Sequence, residues 1–168
     1  ETAALAARQP ADKRITYSLV RDDADLVARA LAPQQDGVSF QVTDTAAGQS
    51  AHVRLKTPGR HNVSNALAAL GAAKALGVPL AEAAAALGGF TGVKRRMDVV
   101  GTAAGVTVID DFGHNPDKIA ATLETLHGFP GRLLLMFQPH GFGPLKMMKD
   151  GFIDAFAGQM TTEDILLM

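Results

Sequence analysis

The sequence predicts an α/β protein in two parts, and three of its features do so. Residues 38–42 and 53–55 alternate apolar with polar side chains, as half-exposed antiparallel strands do. Residues 62–87 are alanine-rich and helix-forming, interrupted at Gly77, Val78 and Pro79. After Asp98, strand-like and helix-like runs follow one another in the order β-α-β-α-β, which implies a parallel, doubly wound sheet.

Taken in order, Ile15, Thr16, Tyr17, Ser18, Leu19 and Val20 form a first strand-like run. The alternating segments 38–42 and 52–56 are joined through Asp44, Thr45, Gly48 and Gln49, good turn formers, so a hairpin is expected. Pro58 and Gly59 punctuate the chain. A helix from Asn62 to about Leu76 follows, with Gly77 as its C-terminal stop, and Val78-Pro79 starts a second that runs to Leu87. Gly88 and Gly89 end that one, and residues 90–98 form a connector with three successive cations, Lys94, Arg95 and Arg96. Beyond it come strands at 99–100 and 106–109 around a turn at Gly105, a helix from Pro116 to Leu126, an apolar strand at 132–137, a helix from Leu145 to Phe156 and a strand starting at Ile165. The expected domain boundary is near Met97, giving domains 1–97 and 98–168.

Composition narrows the function. The 168 residues are 47% hydrophobic and 20% charged with a formal net charge of −1, so there is no broad field for nucleic acid or an anionic membrane. Phosphate binding would have to come from a few placed residues. With no cysteine, disulfides and thiolate metal sites are excluded. No apolar run reaches the roughly 18–20 residues of a membrane span. Glu1, Thr2, Ala3 and Ala4 lack the basic-then-apolar pattern of a signal peptide. A soluble, cytoplasmic protein is expected. The apolar ending Ile165-Leu166-Leu167-Met168 has the character of a buried strand and fits a piece of a longer protein.

Four polar motifs stand out. In GRHNVSNALAA (59–69), Asn62 or Ser64 could simply cap the helix. His61, Asn62 and Asn65 are nevertheless three polar groups where one cap suffices. Asn62 and Asn65 share a helix face, and their amides suit the donor–acceptor edge of an adenine. In FTGVKRRMD (90–98), the plain reading is a solvated basic linker; the functional one is an arginine fork reaching a nucleotide phosphate from a hinge. DDFGHNP (110–116) lies where a strand ends and a helix begins, the ligand edge of doubly wound sheets. There Asn115 and Pro116 read as a helix cap and first turn. Asp110, Asp111 and His114 are left for ribose hydroxyls, a cation or a loop. FQPH (137–140), followed by Gly141, Phe142, Gly143 and Pro144, occupies the same sheet edge.

In this order the four motifs resemble the Mur ligase family, over residues 15–168, and within it the alanine-adding branch. The resemblance implies the end of the family's central ATPase domain (1–97), followed by the first half of its Rossmann-like C-terminal domain (98–168). It implies an ATP-dependent, ADP-forming carboxylate–amine ligase of peptidoglycan precursor synthesis. The carboxylate of a UDP-N-acetylmuramate-type sugar becomes an acyl phosphate, which the amine of an amino acid, L-alanine, attacks. It assigns His61, Asn62 and Asn65 to the adenine of ATP, and Arg96 to the nucleotide phosphates on domain closure, as the catalytic arginine. Asp111 falls near the ribose, His114 on the same closing edge, and Gln138, His140 and Lys146 on the acceptor loop. Mg2+ is implied as well, with its ligands outside this chain.

Three departures matter. No Gly-x-x-Gly-Lys-Thr/Ser loop occurs, so the phosphate cradle and its lysine are missing and the chain alone should be inactive. Asn115 replaces a second histidine. Gly141 and Pro144 stand where the family's acceptor-holding arginines belong, with Lys146 nearby. The alternatives are a recycling-type or otherwise divergent ligase with another acceptor, or a non-catalytic nucleotide- or UDP-sugar-binding paralogue. A folylpolyglutamate synthase-like enzyme is the third, against which the 137–140 loop argues.

Overall fold

A computed structural model describes residues 6–34 and 36–168, so the leader reading of residues 1–4 lies outside the described residues. The chain forms two compact units, Glu1–Thr91 and Gly92–Met168. The division falls inside the connector ahead of Met97, so Lys94, Arg95 and Arg96 belong to the second unit.

The first unit is built on a sheet of β1 (Tyr17–Ser18), β2 (Leu26–Gln34), β3 (Gly37–Asp44) and β4 (Gln49–Leu55), in that order. β1 pairs parallel with β2, and the other two pairings are antiparallel. The hairpin is β3–β4, with Phe40 opposite Val53 and Val42 opposite Ala51. Val38, Phe40 and Val42 are buried while Gln41 is exposed, as the period-2 pattern requires.

The run at 15–20 is cut to two strand residues for a local reason. The Ser18 hydroxyl accepts the N–H groups of Val20 and Arg21 at 3.1 and 2.9 Å, which turns the chain out of the sheet. Strand β2 was not legible, because its Ala- and Leu-rich residues include Pro33. That proline is tolerated because β1 reaches only to Val27, so the far half of β2 is an edge. A bulge between Arg29 and Ala32 accommodates Ala30 in the left-handed region, φ 52°.

Helices α1 (Arg60–Ala75) and α2 (Leu80–Gly88) cover this sheet. Gly77, φ 80°, ends α1, with the Val78 N–H returning to the Ala73 carbonyl at 3.0 Å. The core joins Leu26, Phe40, Val42, Val53, Val63, Leu67 and Leu70, all nearly or fully buried.

The second unit opens with an antiparallel hairpin, β5 (Asp98–Ala103) and β6 (Val106–Asp110). Then come α3 (Pro116–Leu126), β7 (Leu134–Met136), α4 (Phe142–Gln159) and β8 (Ile165–Leu167). The parallel sheet expected of the second part is only partly formed: β7 pairs parallel with β8, whereas β6 pairs antiparallel with β5 and lies in a separate two-stranded sheet, because the turn at Gly105 folds it back on β5. Their residues Leu135 and Leu166 face Ile119 and Leu123 of α3 and Phe152 and Phe156 of α4, while Leu134, Met136, Ile165 and Leu167 face outward. Gly151 lets α4 press on the start of α3: a Cβ there would lie 2.9 Å from the Pro116 ring. Among the described residues no helix is long and apolar enough to cross a membrane.

Candidate functional site

In the first unit the site residues stand at the start of α1. The helix has Gly59 at its N-cap position, φ 102°, with no side chain capping it, so neither Asn62 nor Ser64 is the cap. The Asn62 amide instead donates back to the Pro58 carbonyl at 2.7 Å, closing the Pro-Gly turn. Its Oδ1 accepts from Asn65 Nδ2 at 3.4 Å, a long bond that confirms the two amides share one face. Asn65 is exposed, and its amide oxygen keeps its acceptor capacity; His61 is half-buried beside them. An uncapped helix start and two amides form a polar edge able to meet a group rich in donors and acceptors.

In the second unit, residues 110–116 run from the end of β6 to the start of α3. Asn115 caps α3, its Oδ1 accepting the Lys118 N–H at 2.9 Å, and Pro116 takes the first helical position, as expected. Asp111 is half-buried and faces inward. Its Oδ2 accepts the Met97 backbone N–H at 2.9 Å, and its Oδ1 accepts the Thr122 hydroxyl at 3.2 Å. Asp110 pairs with Arg95 at 3.4 Å, a half-exposed contact worth on the order of 0–1 kcal/mol. The Arg95 guanidinium also lies 5.1 Å from the centre of the Phe112 ring.

The two arginines therefore part company. Arg95 is tied to the 110–112 segment, and its carbonyl takes the Phe112 N–H at 2.8 Å. Arg96 is exposed, and its guanidinium meets no hydrogen-bond or ion-pair partner among the described residues.

His114 is exposed. Its Nδ1 faces the Phe112 carbonyl at 3.2 Å and its Nε2 faces the Lys118 ammonium at 3.5 Å. A carbonyl can only accept and an ammonium only donate, so the two contacts are matched by the tautomer that carries its hydrogen on Nδ1. The Phe112 ring lies 5.1 Å from that of His114 and 6.4 Å from that of His140. Phe112 thus brings the 110–116 and 137–140 segments to one edge of the unit. Gln138 and His140 are exposed there, and Lys146 is exposed on the second turn of α4.

Residue-by-residue reading of the sequence missed Thr122, Met97 and Phe112 as members of this cluster. Threonine inside a helix and a backbone N–H carry no motif. Phe112, lying between two acidic residues and a histidine, was the one available signal. Two cavities, of about 310 and 160 Å3, lie in the first unit around Leu70, Val78 and Ala83 rather than at these motifs. Among the described residues no three His, Asp or Glu side chains gather so as to hold a metal ion.

Comparison with known proteins agrees with this layout. Residues 1–73 match the Mur ligase middle domain, and residues 95–167 match the domain described as Mur ligase, glutamate ligase domain. The UDP-N-acetylmuramate–L-alanine ligase of Streptomyces coelicolor is 43% identical over 132 residues, 77% of this chain and 28% of its own. That of Paramagnetospirillum magneticum is 39% identical over 162 residues, 93% of this chain and 34% of its own. The chain thus spans about a third of the length of the curated relatives it matches. In fold it is similar to the crystal structure of UDP-N-acetylmuramate–alanine ligase from Thermotoga maritima, with a TM-score of 0.67 at 24% identity, covering 91% of this chain and 39% of that one. With both of its units matched to successive domains of one enzyme family, the chain belongs to the Mur ligases.

Proposed function

We propose that this chain is part of an ATP-dependent amide ligase that adds an amino acid to a UDP-N-acetylmuramate-type sugar through an acyl phosphate. The observation that carries the reading is the contrast between Arg95, held by Asp110 and Phe112, and Arg96, exposed and uncommitted on a connector fixed on either side. A guanidinium so presented can meet a transferring phosphoryl group without breaking any bond of its own, and would stabilise charge as it develops. His61, Asn62 and Asn65 are assigned to the adenine and His114 to the ribose edge, while Asp111, which the resemblance places near the ribose, turns its two oxygens to the Met97 N–H and the Thr122 hydroxyl and serves the connector. Gln138, His140 and Lys146 are assigned to the acceptor. The names of the relatives support the sugar and L-alanine as substrates. Mg2+, which the resemblance implies for the reaction, has no ligand set among the described residues, so none of these assignments depends on it.

A second reading rests on one specific feature. Gly141 and Pro144 occupy the positions of the family's acceptor-binding arginines, which favours an acceptor other than L-alanine. The test joins this chain to a segment carrying the family's phosphate loop and measures phosphate release against a panel of amino acids and short peptides. Stimulation by L-alanine supports the first reading, and stimulation by another acceptor supports the second. Release that no acceptor stimulates, with ATP still bound, would leave only a nucleotide-binding paralogue.

A further inference from the structure

We propose that Thr122, on α3, is a positioning residue for the Arg96 guanidinium, acting through the Asp111 carboxylate and the backbone of the connector. The proposal rests on the reading of Arg96 given above and adds what holds that arginine in place.

The connector is an improbable piece of backbone. Arg95 has φ 61° and Met97 has φ 51°, so the residues on both sides of Arg96 sit in the left-handed region that L-residues with side chains rarely occupy. Such a turn persists only where its surroundings over-determine it. Three contacts do so. The Arg95 carbonyl accepts the Phe112 N–H at 2.8 Å, the Met97 N–H donates to Asp111 Oδ2 at 2.9 Å, and the Met97 side chain is buried, with 7% of its surface exposed. Arg96 lies between these anchors, and they set the direction in which its side chain leaves the chain.

Of the three, the carboxylate contact depends on a rotamer. A carboxylate can swing about its side-chain bonds unless its second oxygen is held as well. Thr122 supplies that hold, its hydroxyl donating to Asp111 Oδ1 at 3.2 Å. Thr122 is itself fixed, since its neighbours Ile119 and Leu123 on α3 are buried in the second core. Gly113 keeps the space open: a Cβ there would lie 3.3 Å from Asp111 Oδ1 and 3.4 Å from Ile119. A hydrogen-bonded line therefore runs from the helix, through Asp111, to the amide that follows Arg96. Removing the Thr122 hydroxyl frees the carboxylate, weakens its hold on the Met97 N–H and lets the strained turn relax. Arg96 then samples directions away from the phosphates, at a cost to turnover rather than to ATP affinity.

The first measurement is amide hydrogen exchange at Met97 by NMR on the 168-residue chain. Thr122→Val, which keeps the shape and removes the hydroxyl, should raise the Met97 exchange rate about tenfold, the scale of one net hydrogen bond. Thr122→Ser should restore it, and the amides of Leu123 and Leu135 should stay as they were. An unchanged Met97 amide in Thr122→Val overturns the proposal. The second measurement uses the ligase that contains the chain. There Thr122→Val should lower kcat about tenfold with the KM for ATP nearly constant, with Thr122→Ser recovering it. If Arg96→Ala cripples turnover while Thr122→Val does not, the positioning role falls alone. If Arg96→Ala is itself silent, the ligase reading of Arg96 falls and takes the proposal with it.

Discussion

The imidazole of His127 lies 2.8 Å from the carboxylate of Asp164, joining the end of α3 to the turn before β8. Asp164 is the most heavily bonded acid described. Its Oδ1 accepts the Leu133 N–H at 2.8 Å, and its Oδ2 accepts the Thr161 N–H at 2.7 Å and the Thr161 hydroxyl at 2.9 Å. Only 1% of its side-chain surface is exposed. The Thr161 and Leu133 N–H groups first, and His127 after them, hold its pKa well below the usual carboxylate range. A carboxyl lowered in the folded state stabilises the fold above its unfolded pKa of about 4, and that contribution is lost as pH falls toward the folded value. The thermal midpoint of the second unit should therefore drop on acidification below about pH 4. It should drop less steeply in Asp164→Asn, which is also less stable at pH 7 because an amide turns an N–H2 group toward existing donors. Thermal melts followed by circular dichroism between pH 3 and 7 would show this; parallel pH curves for the two proteins would refute it.

Arg95 and Arg96 are adjacent, equal in charge and differently engaged, which makes them a matched pair for mutation. In the ligase containing this chain, Arg96→Ala should lower kcat by about a hundredfold or more while the Kd for ATP changes little, because the contact is made as charge develops. Arg95→Ala should lower stability slightly, by about 1 kcal/mol, from the exposed ion pair and the ring contact together. Its effect on kcat should be the smaller of the two. Steady-state kinetics with direct ATP titration separates these cases. Equal losses of kcat and ATP affinity in Arg96→Ala would mean uniform binding instead.

Gly37 tests the first unit. It has φ 153°, and a Cβ on it would lie 1.9 Å from the Leu55 carbonyl oxygen, where backbone rather than a flexible side chain is in the way. Gly37→Ala must push β3 and β4 apart at their open end, and should cost about 3 kcal/mol or more. Chemical denaturation of the chain would give the figure. A loss under about 1 kcal/mol would show that the hairpin end is free to adjust.

Much of this was legible because the signals were local. The β3–β4 hairpin declared itself through the alternation around Phe40 and Val53, α3 through Asn115 and Pro116, and the end of α1 through Gly77. What was illegible depended on pairing or on side chains turned inward. Strand β2 is made by its hydrogen bonds to β3, against the helical character of its alanines and the presence of Pro33. The first turn of α1 begins at Arg60, ahead of the expected Asn62, because Gly59 serves as the cap and leaves the asparagine amides for other work. The acidic pair of DDFGHNP was readable as needing partners. That Asp111 would find them in the Met97 amide and the Thr122 hydroxyl was not, since a backbone N–H has no sequence signature and Thr122 lies outside every motif.

On the proposed reading, the start of α4 meets the acceptor. Helix α4 begins after Gly141, φ 81°, with no side chain at its cap, and Pro144 in its first turn has no N–H to leave unpaired. The first-turn amides of Phe142 and Gly143 and the ammonium of the exposed Lys146 give this end a positive character. A carboxylate held by an ammonium and backbone N–H groups is held less rigidly than by an arginine fork, so the acceptor should bind more weakly and with looser choice. Lys146→Ala should raise the KM for the acceptor about tenfold with kcat nearly unchanged, and Lys146→Arg should keep it near the starting value. Phosphate-release kinetics at saturating ATP would read both constants. An acceptor KM indifferent to Lys146→Ala would remove this lysine from the acceptor site, leaving Gln138 and His140 as the groups to test in its place.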